Sequence, residues 1–282
     1  MKIDGKAIAQ HILDDLTKRI HTLKERGVTP HLVIILVGND PASEAYVKQK
    51  VLKGETIGAK VTVTRFPINI HQYELLATIK QYNNDNNVHA LIVQQPLPAH
   101  IDVAAITQAT DPKKDVDGFH KDSPFSMPLA NAVVKILEEV YKSKTGQVES
   151  TFEKWLASQN IVVMGKGKTG GGPVISKLQN MHIEPRVIDS KTENPKKVMK
   201  EADIVVATVG KIGVITPDML KKDVVLVGVG MSKGEDGKLY PDYDETAVED
   251  IADWYTPVPG GVGPVNVAML LENVVTAAQK QA

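Results

Sequence analysis

Five short stretches of this 282-residue chain carry groups suited to chemistry. Tyr46 and Lys50, a phenol and an amine four positions apart, share one face if their segment is helical. Gln94 follows the apolar run Val88-His89-Ala90-Leu91-Ile92-Val93, so its amide stands just past the carboxyl end of an expected strand. In open α/β sheets that end is where ligands bind. Asp115-Val116-Asp117-Gly118 reads as a loop whose carboxylates suit Asx turns or a ligand. Farther on, Gly165, Gly167 and Gly170 form a G-x-G-x-x-G pattern that Gly171 extends, between an apolar run and a helical one. Glycines there permit a tight turn and let backbone N–H groups approach a pyrophosphate at a helix N-terminus. Residues 256–264 hold three prolines and three glycines, which excludes a regular helix or central strand and leaves a stiff loop able to cup a flat ligand.

The strand after the glycine-rich turn ends at Asp189, 24 positions beyond Gly165. A carboxylate near that spacing holds a ribose 2′-hydroxyl and suits NAD. The hydroxyl of Ser190 and the cation of Lys191 suit the 2′-phosphate of NADP instead, and Lys166 and Lys168 add cations within the turn. These residues by themselves leave both cofactors open.

The elements that must position these groups follow from periodicity. Ile8, Ile12, Leu13, Leu16, Ile20 and Leu23 recur at helical spacing and stop before Gly27. His31-Leu32-Val33-Ile34-Ile35-Leu36-Val37 is a continuous apolar run, as in a strand buried on both faces of a parallel sheet. A helix over about 41–57, a strand over 61–64, a helix over 71–81 and a strand over 88–93 continue the alternation, which favours a parallel sheet covered on both faces. Strands over 161–164, 186–188, 204–207 and 224–227 repeat it. The break between them, 117–160, holds a helix over 129–140 and a polar segment over 141–150. A last helix over 265–280 is expected to pack back onto the first lobe. The fold class is α/β with two lobes, and Tyr46, Lys50, Gln94 and Asp117 are expected at one edge of the first sheet.

Composition narrows the function further. Charged residues make up 24% and hydrophobic residues 42%, values of a folded globular chain rather than a disordered one. The formal net charge of −1 and 5% aromatic content argue against a nucleic-acid partner. With no cysteine, thiolate catalysis, disulfides and Cys-based metal sites are excluded, and the eight histidines show no metal-ligand spacing, so no metal is expected. No apolar stretch approaches the roughly 20 residues that span a bilayer. The opening residues lack a secretory leader's apolar run, which suggests a cytoplasmic protein.

Taken together, these stretches resemble the bifunctional methylenetetrahydrofolate dehydrogenase/methenyltetrahydrofolate cyclohydrolase family over nearly the whole chain. The marks are Val37-Gly38 with Pro41-Ala42-Ser43 and Tyr46 to Lys50; Val93-Gln94 with Pro96-Leu97-Pro98; Lys114-Asp115-Val116-Asp117-Gly118-Phe119-His120; and the 256–264 loop, in family order. The resemblance implies an N-terminal three-layer α/β folate lobe, residues 1–122 plus 264–282, and a Rossmann-like lobe with a parallel sheet, residues 123–263, flanking a cleft. It implies hydride transfer from 5,10-methylenetetrahydrofolate to NAD(P)+, NADP expected over NAD, then hydrolysis of the methenyl product to 10-formyltetrahydrofolate, in one-carbon metabolism that feeds purine biosynthesis. A homodimer is implied as well. By matched position, Lys50 is the general acid/base, Tyr46 orients or stacks on the folate, Gln94 positions Lys50 and Asp117 hydrogen-bonds the pterin. Pro259, Gly260, Gly261 and Val262 pack on the folate and Gly263 on the nicotinamide. Gly165, Lys166, Gly167, Gly170, Gly171, Asp189, Ser190 and Lys191 take the cofactor.

Departures from the family pattern cluster in or near the cofactor lobe. Phe125-Ser126-Met127-Pro128 stands where the family usually has Pro-Cys-Thr-Pro, and Lys166 and Gly167 stand where arginine and serine are common. Asp189-Ser190 replaces His-Ser, Gly228-Val229-Gly230 replaces Asp-Val-Gly, and Pro264-Val265-Asn266 replaces Pro-Met-Thr. The first alternative is therefore a cyclohydrolase with weak or lost dehydrogenase activity. Two others are a shikimate-type two-lobe dehydrogenase and a non-catalytic dinucleotide-binding regulator.

Overall fold

The structure, a computed structural model, describes residues 1–145 and 151–282. Its contacts divide them into an amino-terminal unit, Gln10–Pro128 with Val267–Ala282, and a central unit, Met1–Ala9 with Leu129–Asn266.

Helix α1 (Gly5–Glu25) begins at Asp4, whose carboxylate accepts the amides of Lys6 and Ala7. Strand β1 (His31–Val37) is buried along all seven residues, as its unbroken apolar run requires. Helix α2 (Pro41–Thr56) starts at Asp40, which accepts the Ser43 amide at 2.8 Å, with Pro41 where the missing N–H costs nothing. Then come β2 (Lys60–Phe66), α3 (Gln72–Asn84), β3 (Ala90–Val93) and α4 (Val103–Ala109). The sheet is parallel in the order β2-β1-β3, with a further bridge from Leu91 to Asp115. Alternate residues of β1 supply its two faces. Leu32, Ile34 and Leu36 pack with Val47 of α2 and with Leu270 and Val274 of the C-terminal helix, whereas Val33, Ile35 and Val37 pack with Leu75, Ile79 and Ile106. This makes three layers. Helix α4 was not foreshadowed by periodicity, since only Ile106 of its seven residues is buried.

The central unit contains α5 (Pro128–Thr145), α6 (Phe152–Ala157), β4 (Ile161–Met164), α7 (Gly171–Asn180), β5 (Arg186–Ile188), α8 (Pro195–Lys200) and β6 (Ile204–Ala207). It continues through β7 (Val224–Gly228), β8 (Met231–Lys233), β9 (Leu239–Pro241), α9 (Glu245–Val248) and β10 (Ala252–Tyr255), and α10 (Val262–Gln281) starts in it. A parallel sheet runs β10-β7-β6-β4-β5. The chain leaves β4 toward β5 on one side and returns to β6 on the other, so the strand order reverses at β4. The crevice beyond the ends of β4 and β6 is thus a topological switch point.

Beyond the short helices α4, α6, α8 and α9, which were not expected, the structure departs from the sequence reading in four further places. The unit boundaries fall after Pro128 and Asn266 rather than at 122/123 and 263/264. Residues 1–9 join the central unit, because Ile3 N donates to Tyr255 O at 2.8 Å and Tyr255 N to Met1 O at 3.0 Å. The β8–β9 hairpin and β10 were not expected; their runs are short and mixed. The segment expected to be polar from 141 onward is helical to Thr145, and Tyr141 is buried with its ring 5.5 Å from Trp155 and 5.9 Å from Phe152. The rest of that segment, 146–150, lies outside the described residues. Among the described residues no helix is long and apolar enough to cross a membrane.

One buried cation ties the end of α3 to the loop that follows α4. Lys114 Nζ donates to the carbonyls of Tyr82, Asn83 and Asp85 at 2.9, 2.8 and 2.8 Å, which satisfies helix-end acceptors and sets a positive charge at their negative pole. Lys114→Met should cost on the order of 2–3 kcal/mol, the scale of charged hydrogen bonds lost in a buried setting. Urea unfolding of the variant against the parent measures it.

Candidate active site

Helix α2 buries one stripe, with Val47, Lys50 and Gly54 all turned inward. Lys50 therefore extends an ammonium from a stripe that it shares with the buried hydroxyl of Ser43, and it is 9% exposed. Its Nζ donates to Gln94 Oε1 at 3.0 Å. Gln94 is held in that orientation: its N–H donates to Ile35 O at 2.9 Å, and its side-chain Nε2 donates to Gln95 O at 2.7 Å. The amide oxygen is left for the lysine. Tyr46, one turn earlier, is 38% exposed, and the atoms crowded around it raise its phenol above the ordinary value. It stays protonated near neutrality and can donate or accept.

Asp117 lines a shallow open groove with Val93, Gln95, Leu97, Ile106 and Phe119. It does not hydrogen-bond Lys50 or Gln94. The structure thus brings the amine and the first amide into contact, places the phenol on the same helix face, and seats the carboxylate in a groove beside the neighbouring glutamine. The loop that carries Asp117 is pinned from two sides. Asn273 of α10 donates to Val116 O at 2.9 Å and to Ser126 O at 3.1 Å. Asp115 accepts the His120 amide at 2.7 Å, and Ser123 Oγ donates to Asp115 O at 2.8 Å. Burial pushes the Asp115 carboxyl up to about 6, with the neighbouring Asp117 adding to the rise and the His120 amide opposing it.

In the central unit the glycine-rich turn joins β4 to α7. Gly165 has φ +99°, and a Cβ on Gly171 would fall inside contact with Gly165 O, so the first turn of α7 lies against the end of β4 only because both residues lack side chains. Thr208, after β6, fits into the same corner and donates from Oγ1 to Met164 O at 2.9 Å. By contrast, nothing lies within 4 Å of a Cβ position on Gly167, so that backbone faces open space. An N-terminus of a ten-residue helix, a turn without side chains and a switch-point crevice together suit a dinucleotide pyrophosphate.

Asp189 lies at the end of β5 but is engaged. Lys166 Nζ stands 2.6 Å from its carboxylate, and the Lys191 amide donates to it at 2.8 Å. The ammonium and that amide hold the carboxyl down to about 2. Lys166 is 63% exposed, so the pair is wet and contributes little to stability. Ser190 and Lys191 are exposed beside it. The loop after β6 depends on Asp242, which is fully buried and accepts the amides of Val209 at 2.9 Å and Lys211 at 2.7 Å; burial raises its carboxyl above the usual range.

Sequence reasoning missed Asp115, Thr208, Asp242 and Asn273 as site-forming residues. Asp115 lay within a recognised stretch. The other three carry no local signal, since each acts on a loop distant in sequence.

Comparison with known proteins accords with this geometry. The model of the tetrahydrofolate dehydrogenase/cyclohydrolase catalytic domain matches residues 3–117, and that of the corresponding NAD(P)-binding domain matches residues 146–282. The chain is 40% identical over 280 residues to a protein of Nautilia profundicola named bifunctional protein FolD, covering 98% of this chain and 96% of that one. It is similar to the crystal structure of the bifunctional methylenetetrahydrofolate dehydrogenase/cyclohydrolase FolD of Campylobacter jejuni, with TM-score 0.92 and 34% identity over 100% of this chain and 99% of that one. A Trypanosoma brucei methylenetetrahydrofolate dehydrogenase-cyclohydrolase, solved with NADP cofactor and inhibitor, matches with TM-score 0.86 and 29% identity over 99% of this chain and 97% of that one.

Asp115 makes a pH prediction. Its carboxyl titrates near 6 when folded and near 3.8 in its ordinary state, so its contribution to stability is fully present below 3.8 and is lost as pH rises through about 6. Relative to Asp115→Asn, the parent should therefore lose up to about 3 kcal/mol between pH 4 and pH 8. Urea unfolding of both proteins across that range measures the divergence.

Proposed function

The chain belongs to the tetrahydrofolate dehydrogenase/cyclohydrolase family, and from that premise we propose how its residues divide the work. The protein is a bifunctional enzyme that oxidises 5,10-methylenetetrahydrofolate to 5,10-methenyltetrahydrofolate and hydrolyses that product to 10-formyltetrahydrofolate. The observation that carries the assignment of its chemistry is the Lys50–Gln94 contact: a buried amine on an inward helix stripe, with one N–H committed to an oriented amide oxygen.

Lys50 is the proton carrier. An ammonium has three donors, and the Gln94 bond takes one of them and leaves two for the substrate. During hydrolysis a water adds to the methenyl carbon and gives up a proton. The bond from that carbon to one ring nitrogen then breaks as the formyl carbonyl forms, and the nitrogen gains the proton that the hydroxyl loses. Lys50 moves these protons. Tyr46 orients the folate ring and Asp117 takes N–H donors of the pterin. Pro259, Gly260, Gly261 and Val262 pack on the folate, and Gly263 on the nicotinamide. When bound, the dinucleotide supplies the hydride acceptor. Gly165, Gly167, Gly170 and Gly171 hold its pyrophosphate through backbone amides.

We assign NADP+ as the preferred cofactor. The exposed Lys166–Asp189 pair is weak enough for Lys166 to turn to a 2′-phosphate, with Ser190 and Lys191 alongside. The second reading, NAD+, rests on Asp189 itself, a carboxylate at the strand end where a ribose hydroxyl would be held. A homodimer is proposed on the exposed apolar side chains Val209, Ile212, Leu239 and Tyr240 of the central unit. A cytoplasmic setting and a supply of one-carbon units to purine synthesis are proposed with this reaction, whose product carries a formyl group.

Two measurements test these roles. Lys50→Met should abolish hydrolysis of methenyltetrahydrofolate, a loss of at least about a hundredfold for a positioned acid/base, with the folded circular-dichroism signature kept; near-normal turnover removes Lys50 from the chemistry. Initial rates with methylenetetrahydrofolate and either NADP+ or NAD+ should favour NADP+. Asp189→Ala should leave that order in place and lower any residual use of NAD+, whereas a parent that prefers NAD+ overturns the cofactor assignment.

A further inference from the structure

The 256–261 segment of the central unit is anchored by main-chain bonds at its two ends, Thr256 N to Leu226 O at 3.1 Å and Gly261 N to Pro257 O at 2.9 Å, and by a side chain between them. Pro257 and Pro259 have no N–H, so between Thr256 and Gly260 the sole main-chain donor is that of Val258. That donor is taken by a side chain: Val258 N donates to Glu245 Oε1 at 2.8 Å. The other carboxylate oxygen of Glu245 stands 3.2 Å from Lys2 Nζ. Lys2 belongs to the opening residues that run beside β10, bridged to Tyr255. Three positions on, Gly5 meets the loop itself, since a Cβ there would fall inside contact with Gly261 O. At the loop's start, Tyr243 Oη donates to Thr256 O at 2.6 Å, and the Gly228 amide donates to Thr256 Oγ1 at 2.7 Å. The first turn is therefore locked to the sheet, and the Gly261 amide closes the tip by donating to Pro257 O at 2.9 Å; Glu245 and Gly5 supply the ties that reach this turn from outside the loop.

We propose that Glu245 is a positioning residue for folate: by holding the Val258 amide it fixes the 257–261 backbone, with Gly5 as a second stop. This rests on the reading that Pro259, Gly260, Gly261 and Val262 meet the folate. Glu245 touches no reacting atom. Its removal frees the loop to sample positions that substrate must reorder, so affinity suffers while proton transfer at Lys50 does not.

The experiment compares Glu245→Ala, Glu245→Gln and Lys2→Ala in the hydrolysis of methenyltetrahydrofolate, which needs no dinucleotide, and in calorimetric binding of 5-formyltetrahydrofolate. Glu245→Ala should raise KM and weaken binding by about tenfold, the scale of one lost charge-assisted hydrogen bond, with kcat within about threefold. Glu245→Gln keeps an oxygen for the Val258 amide and should restore both values. Lys2→Ala removes only the exposed ion pair and should change neither. Gly5→Ala, which presses on Gly261 with Glu245 intact, should raise KM as well and keeps the test open if Glu245→Ala does not fold. Unchanged KM and binding in Glu245→Ala, or equal losses in the Ala and Gln variants, overturn the proposal. If instead the Lys50→Met variant hydrolyses normally, the underlying reading fails, whatever the Glu245 series gives.

Discussion

An amine placed on the inward face of a helix has to be given an acceptor, and much of the amino-terminal unit is arranged around that requirement. Lys50 occupies the stripe of α2 that also buries Ser43, Val47 and Gly54, so most of its side chain is withdrawn from water on folding. An isolated buried ammonium is costly. Gln94 meets it because β3 runs parallel to β1 and ends with Val93 opposite Ile35, two residues short of the end of β1, with the Gln94 amide joined to Ile35 O. The side-chain bond from Gln94 to Gln95 O then decides which end of the amide faces the lysine. A cap at Asp40, a strand register and one glutamine orientation thus set a single polar contact among apolar neighbours.

Carboxylates take the corresponding part in the loops. Asp115 organises the turn that carries Asp117 by accepting the His120 amide, and Asp242 does the same for the loop after β6 through the amides of Val209 and Lys211. Both are buried, and both have carboxyls raised by that burial. Asp189 is the counter-example: at the surface and beside Lys166, it is held strongly ionised. The same side chain therefore serves as a loop organiser in an apolar setting and as one half of an exchangeable pair in a wet one. Desolvation separates the two cases.

The apolar runs were legible because strands buried on both faces admit almost no polar residue. His31–Val37, Ile161–Met164 and Ile204–Ala207 match their expected bounds, and Val224–Gly228 adds one glycine; Arg186–Ile188 also matches, although it is an edge strand whose arginine is exposed. The elements that were missed lack such a run. Helix α4 buries one side chain, the β8–β9 hairpin has exposed and half-exposed positions, and β10 is an edge strand in the protein's central sheet whose far side is covered by residues 1–3. Tyr141 was taken for part of a polar connector because its aromatic partners, Phe152 and Trp155, come ten or more positions later.

By itself, then, the sequence determined the alternation of strands and helices, the glycine turn after β4, and the positions of Tyr46, Lys50, Gln94 and Asp117, since each depends on local spacing or on a run of like residues. Tertiary structure alone decided which partner each group received. Gln94 rather than a carboxylate faces Lys50, Asp189 is taken by Lys166, and Val258 is held by Glu245. Those choices join residues between 13 and 44 positions apart through chain crossings that no local pattern encodes. Hydrogen bonds of this kind are fixed only when packing brings both ends to within about 3 Å.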